Sequence, residues 1–176
     1  MLCTPITDDY EVKTLIRLKS GIVAESAHLN PDWLAKNNRI VIPRESACHF
    51  NDEYASALSI AMREDGCEQV FALATEEITN NPVCYSVDVS KDGLLAFDRE
   101  CAPFNFALIP ANRSFAIVCT VYDYFLAAGS ANFVRRAVGG EIDAAWREFE
   151  EVSLDPCWEG SLAKIVERYR PFSGQR

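Results

Sequence analysis

The run Phe104-Asn-Phe-Ala-Leu-Ile-Pro-Ala-Asn-Arg-Ser-Phe-Ala-Ile-Val-Cys-Thr-Val121 decides the fold class. Two apolar arms, Phe104 to Ile109 and Phe115 to Val121, flank the turn-rich connection Pro110-Ala111-Asn112-Arg113-Ser114. Arms of that length joined by such residues read as a β-hairpin with a longer loop. The second arm continues or bends at Asp123 into Tyr124 to Ala128. Working upstream, Val83 to Val89 sets Val, Tyr and Val against Cys, Ser and Asp at period 2, and Val70 to Thr75 is a short apolar strand. Asn80-Asn81-Pro82 and Ser90-Lys91-Asp92-Gly93 are turns, and the latter leads into Leu94 to Phe97, which fits a strand or a helix.

Helices flank this block. Asn51 can cap a helix over 52–64, where Tyr54, Leu58, Ala61 and Met62 form one apolar stripe and Gly66 stands just past the end. Ser130 can cap a helix from Ala131 to Val138 that Gly139-Gly140 terminates. Ile142, Ala145, Trp146 and Phe149 repeat the helical spacing over 141–151. Asp155-Pro156 opens a last helix over 156–169 with Trp158, Leu162, Ile165, Val166 and Tyr169 on one face. Nearer the N-terminus, Glu11 to Leu18 alternates at period 2 as a strand, Asn30-Pro31 opens a short helix, and Arg39 to Ile42 is a brief strand stopped by Pro43. Strands in the middle with helices before and after indicate an α+β domain: a largely antiparallel central sheet flanked by helices, with a helical C-terminal third. The chain reads as a single globular domain over 1–170 and a loose tail over 171–176.

The 176 residues carry 17 Lys+Arg against 26 Asp+Glu, a formal net charge of −9. That balance argues against a nucleic-acid partner and against an anionic membrane surface, since both need basic residues. Residues 61–100 hold 3 basic and 9 acidic groups, which is most of the excess. No run approaches the roughly 20 apolar residues of a membrane span. Met1 to Thr7 lacks a basic n-region, and the seven scattered cysteines contain no C-x-x-C pair. A cytoplasmic chain with reduced, mostly buried thiols is the expectation.

Catalytic chemistry finds little support. Cys48-His49 is the one close Cys–His combination, but sequence neighbours point away from each other on a strand. Two histidines and unclustered cysteines do not make a metal site by spacing. Neither phosphate-binding glycine fingerprint is present, and Ser130 after Gly129 reads as a helix cap. Paired acids such as Glu64-Asp65 and Glu76-Glu77 read as solvated faces, and Trp33, Trp146 and Trp158 as core anchors. No catalytic residue, cofactor or metal is expected.

The stretch Ser114-Phe-Ala-Ile-Val-Cys-Thr-Val-Tyr-Asp-Tyr-Phe-Leu-Ala-Ala-Gly-Ser-Ala-Asn-Phe-Val-Arg-Arg-Ala-Val-Gly140, followed by a helix bearing Phe149, resembles small bacterial proteins encoded beside polymorphic toxins. These are the immunity proteins of contact-dependent inhibition and type VI secretion systems. The resemblance covers residues 104–150 and names no contact residue. It implies a protein that binds and neutralises a cognate toxin C-terminal domain. Many such toxins are basic nucleases, which an acidic inhibitor would occlude. The acids Glu64, Asp65, Glu68, Glu76 and Glu77 are the expected partner contacts. The rival expectation is a small cytosolic enzyme or an oligomeric adaptor.

Overall fold

The computed structural model describes residues 2–24, 28–46, 49–76, 83–102 and 105–174. The strands β1 (Cys3–Pro5), β2 (Ile40–Glu45), β3 (Gln69–Ala74), β4 (Cys84–Asp88), β5 (Phe106–Ile109), β6 (Ala116–Cys119) and β7 (Tyr124–Gly129) make one sheet in the order β1-β4-β3-β5-β6-β7-β2. Every neighbouring pair is antiparallel. The helices are α1 (Asp9–Ser20), α2 (Pro31–Lys36), α3 (Asp52–Glu64), α4 (Lys91–Glu100), α5 (Ala131–Ala137), α6 (Ile142–Ser153) and α7 (Ser161–Tyr169). The chain is thus an α+β protein. The β5–β6 hairpin is its centre, pairing Ala107 with Val118 and Leu108 with Ile117.

Strand alternation sorts the core into two layers. Phe106, Cys119 and Phe125 lie in one row across β5, β6 and β7, and their face receives α3, α4 and α5. There Phe97 of α4 meets Phe106 edge-on at 5.1 Å, Tyr54 of α3 meets Phe125 at 5.2 Å, and Phe133 of α5 stacks on Phe115 at 4.2 Å. The opposite face takes α1 and α7: Lys19 donates to the Ala74 carbonyl at 2.7 Å, and Leu162 and Ile165 stand beside Tyr124. With both faces covered, β5, β6 and β7 are buried at every position. This explains their continuous apolar runs, because no strand position there needs a polar side chain.

Several local expectations are corrected. Glu11 to Leu18 is not a strand but the body of α1. Asp8 caps the helix by accepting from Glu11 N at 2.8 Å, Asp9 and Glu11 occupy the first turn, and Arg17 and Lys19 the last. Its buried residues Leu15 and Leu18 are three apart, as helical packing requires, and Ile16 of the supposed inward set is 42% exposed. Pro43 does not stop β2, which runs on to Glu45. β2 is an edge strand, and Val41 presents its carbonyl away from β7 to Trp146 Nε1 at 3.1 Å; two residues on, Pro43 turns its N atom to the same free side, so no ladder bond is lost. Leu94 to Phe97 is helical, within α4. The expected last helix divides into a 3-10 turn, Pro156–Trp158, and α7, at Glu159 and Gly160, which adopt φ 48° and 76°. From Arg170 to Phe172 the chain forms another 3-10 turn and Ser173 is buried, so it packs beyond the expected start of the tail.

Candidate functional site

The C-terminal end of α3 builds an open concavity. Gly66, at φ 84°, donates its N–H to the Arg63 carbonyl at 2.9 Å, and Cys67 N–H reaches Met62 at 3.0 Å. Those bonds close the helix and turn the chain straight into β3. Alongside, β4 ends at Asp88, and Ser90 caps α4 by accepting from Gly93 N at 2.9 Å. Arg63 ties the two sides, its Nε donating to the Val89 carbonyl at 2.7 Å, while Val89 N–H donates to the Glu68 carbonyl at 2.9 Å. Between them lies a cleft of about 530 Å³ lined by Arg63, Gly66, Cys67, Glu68, Asp88, Val89 and Ser90. Glu68 is exposed and Asp88 half-buried. Neither carboxylate makes an ion pair with another described residue. Two carboxylates face one guanidinium already engaged with a carbonyl, so the cleft favours a cationic visitor.

The expected contact residues divide. Glu64 is exposed and paired with Arg136 of α5, and Asp65 accepts from the Ser114 hydroxyl. Both therefore join α3 to the stretch that carries the family resemblance. Of the four expected acids among the described residues, Glu68 alone lines the cleft. Glu76 lies two residues past the far end of β3, a strand whose six residues span about 20 Å at roughly 3.3 Å per residue, and its carboxylate accepts from Asn105 N at 2.9 Å and Asn105 Nδ2 at 3.0 Å. Glu77 lies outside the described residues. The structure thus brings Glu64, Asp65 and Glu68 to one end of α3 and assigns half-exposed Glu76 to a clamp on buried Asn105. Asp88 and Ser90 are additions. Asp88 stands opposite Gln69 in the β3–β4 register, and the period-2 run of Val83 to Val89 read antiparallel to β3 is the sequence signal that could have found it.

The other chemistry-bearing groups are tied into packing. His49 Nδ1 lies 2.7 Å from Asp98 Oδ1, and its ring meets Phe106 edge-on at 4.9 Å. Its sequence neighbour Cys48 lies outside the described residues. Burial, and then the charge of Arg168, hold His28 below its ordinary pKa. Cys67, Cys84 and Cys119 are buried free thiols, and burial raises Cys119 well above the usual thiol range. Cys3 and Cys101 are half-buried and Cys157 is exposed, so burial of the thiols is less general than expected. Ser130 accepts from Phe133 N at 3.2 Å, which is a helix cap. Trp33 lies under the Arg39 guanidinium at 4.0 Å. Among the described residues no group of three or more His, Cys, Asp or Glu could hold a metal ion, and no helix is long and apolar enough to cross a membrane.

No family model, curated protein or solved structure matches this chain.

Proposed function

We propose that this protein acts by binding, as an immunity protein that occludes a cognate, basic toxin domain, with the acid-lined cleft at the end of α3 as its point of contact. The cleft carries this reading: exposed Glu68 and half-buried Asp88 line an open concavity without a cationic partner among the described residues, within residues 61–100, which hold 3 basic and 9 acidic groups. Desolvating a carboxylate is costly unless a cation meets it, so such a surface selects basic partners and steers their approach. The resembling stretch adds support. Ser114 and Arg136 contact Asp65 and Glu64, the residues at the end of α3 that lead into the cleft. Glu64 and Asp65 act as its buttress and Glu68 with Asp88 as its contact. In this reading the protein works in the cytoplasm and needs no cofactor.

Co-expression with the toxin domain encoded by the neighbouring gene tests the proposal. Cells should survive, and the purified proteins should associate at a rate that falls steeply with salt. Unprotected cells, or purified proteins that do not associate, would remove the immunity reading.

A further inference from the structure

Cys3 and Cys101, 98 residues apart in sequence, place their sulfur atoms 3.1 Å from each other. We infer that these two thiols are a disulfide-forming site that staples the N-terminal edge strand to α4 when the protein meets a disulfide oxidant such as oxidised glutathione. The approach is imposed by the fold. The β1–β4 register sets Cys3 opposite Val87, on the face where α4 packs. Cys101 is the C-cap of α4, its N–H bonded to the Phe97 carbonyl, and Phe97 is fully buried between Tyr85 and Phe106. A disulfide needs about 2.05 Å, so the sulfurs must close by roughly 1 Å. Neither thiol has a competing cysteine partner among the described residues.

The chemistry balances as two exchanges. A thiolate from one cysteine attacks glutathione disulfide, forming a mixed disulfide and expelling one glutathione thiolate. The second cysteine then attacks the protein sulfur of the mixed disulfide and expels the other. Two protein S–H bonds and one S–S bond are lost, one protein S–S bond forms, and the two protons finish on two glutathione molecules. The protein thiols supply both electrons. Burial, and then the hydrogen bond with Cys101, push the Cys3 thiol up to about 12. The exchange is therefore slow at neutral pH and faster under mild alkali.

The location gives the bond a consequence. β1 is a short edge strand whose register contacts are three residue pairs with β4, so it is among the first elements to fray. Asp88 N–H donates to the Leu2 carbonyl at 3.0 Å, so the segment that the staple would hold also supports one wall of the cleft. The disulfide site does not depend on the immunity reading.

The test is incubation of the native full chain with oxidised glutathione at about pH 8.5 for hours, followed by acid quench and peptide mapping without reduction. The expected result is a Cys3–Cys101 cross-link that dithiothreitol reverses and that Cys101→Ser abolishes. Cys3→Ser, checked for native circular dichroism, should remain uncross-linked at Cys101. Retention of both thiols by the native chain, under oxidant that cross-links the urea-unfolded chain, would overturn the inference. So would a native cross-link in which either residue pairs with another cysteine.

Discussion

Glu76 was expected at a partner interface, and the structure gives it a different task that a single substitution can expose. Its carboxylate receives the backbone N–H and the side-chain amide of buried Asn105 at 2.9 and 3.0 Å. Asn105 in turn accepts from Val121 N–H at 3.1 Å through Oδ1 and from Thr75 N–H at 3.0 Å through its carbonyl. One residue thereby joins the end of β3, the start of β5 and the end of β6. Glu76→Ala removes two bonds to a charged acceptor, each contributing about 1.5–3 kcal/mol, and leaves a buried N–H without a partner. Glu76 is half-exposed, so water recovers part of the loss, and the net destabilisation should be about 2–3 kcal/mol. For a chain of this size that is a fall in Tm of roughly 4–12 °C. Glu76→Gln keeps an acceptor for the Asn105 N–H and should lose about half as much. Urea unfolding of the three proteins, with unchanged m-values, is the assay. A Glu76→Ala protein within about 0.5 kcal/mol of the parent would refute the clamp. Weakened partner binding with an unmoved Tm would return Glu76 to the interface.

Other outcomes follow from single sites. A Cβ added at Gly93 would press on the Asp88 carbonyl oxygen, backbone that cannot swing aside. Gly93→Ala should therefore cost about 1–3 kcal/mol despite its better helix propensity, and an unchanged urea midpoint would contradict that contact. Burial, and then the charge of Tyr169, raise buried Tyr124 from 10.0 to about 12. The folded state keeps this proton while the unfolded chain releases it, so its stabilisation is whole below pH 10 and about 2–3 kcal/mol is lost as pH climbs to 12. Alkaline titration followed by tyrosine absorbance should show late ionisation coincident with unfolding; complete titration of the tyrosines near pH 10 in folded protein would be the opposite result. Exposed Cys157 should be the first of the described thiols to react with a disulfide reagent in native protein. The side-chain hydrogen bond with Asp155 holds its thiol above the ordinary range, so its rate should keep rising through mild alkali. Faster labelling of Cys119 would contradict the packing of β6.

Much of the fold is legible in short local patterns because local physics and tertiary packing agree there. Asn51 and Ser130 accept from backbone N–H groups at helix starts, as their residue types suggest; Ser90, read as part of a turn, does the same for α4. The β5–β6 hairpin needs no long-range information, since its apolar arms and turn residues already define it. α1 escaped because Val12, Thr14, Ile16 and Leu18 alternate by coincidence. Its Asp8 cap and its opposed acidic and basic turns were the competing signal, and they describe the helix that forms. Pro43 misled because whether a proline interrupts a strand depends on which edge its nitrogen faces, and that is set only when β2 joins β7. The site was half legible for the same reason. Glu64, Asp65 and Glu68 are close in sequence and in space. Asp88 joins them only through the β3–β4 register, and Glu76 leaves them because β3 carries it to the other end of the sheet.

The most direct measurement is the association rate between this protein and the proposed partner, a purified toxin domain encoded beside it, by stopped flow across a salt series, for the parent, Glu68→Lys/Asp88→Lys and Glu76→Gln. Contact through the cleft predicts that the double reversal slows association about tenfold or more at low salt and flattens the salt dependence, while Glu76→Gln leaves both unchanged. A rate and salt slope indifferent to charge reversal at Glu68 and Asp88, in a complex that still forms tightly, would place the interface elsewhere and contradict the claim made for the cleft.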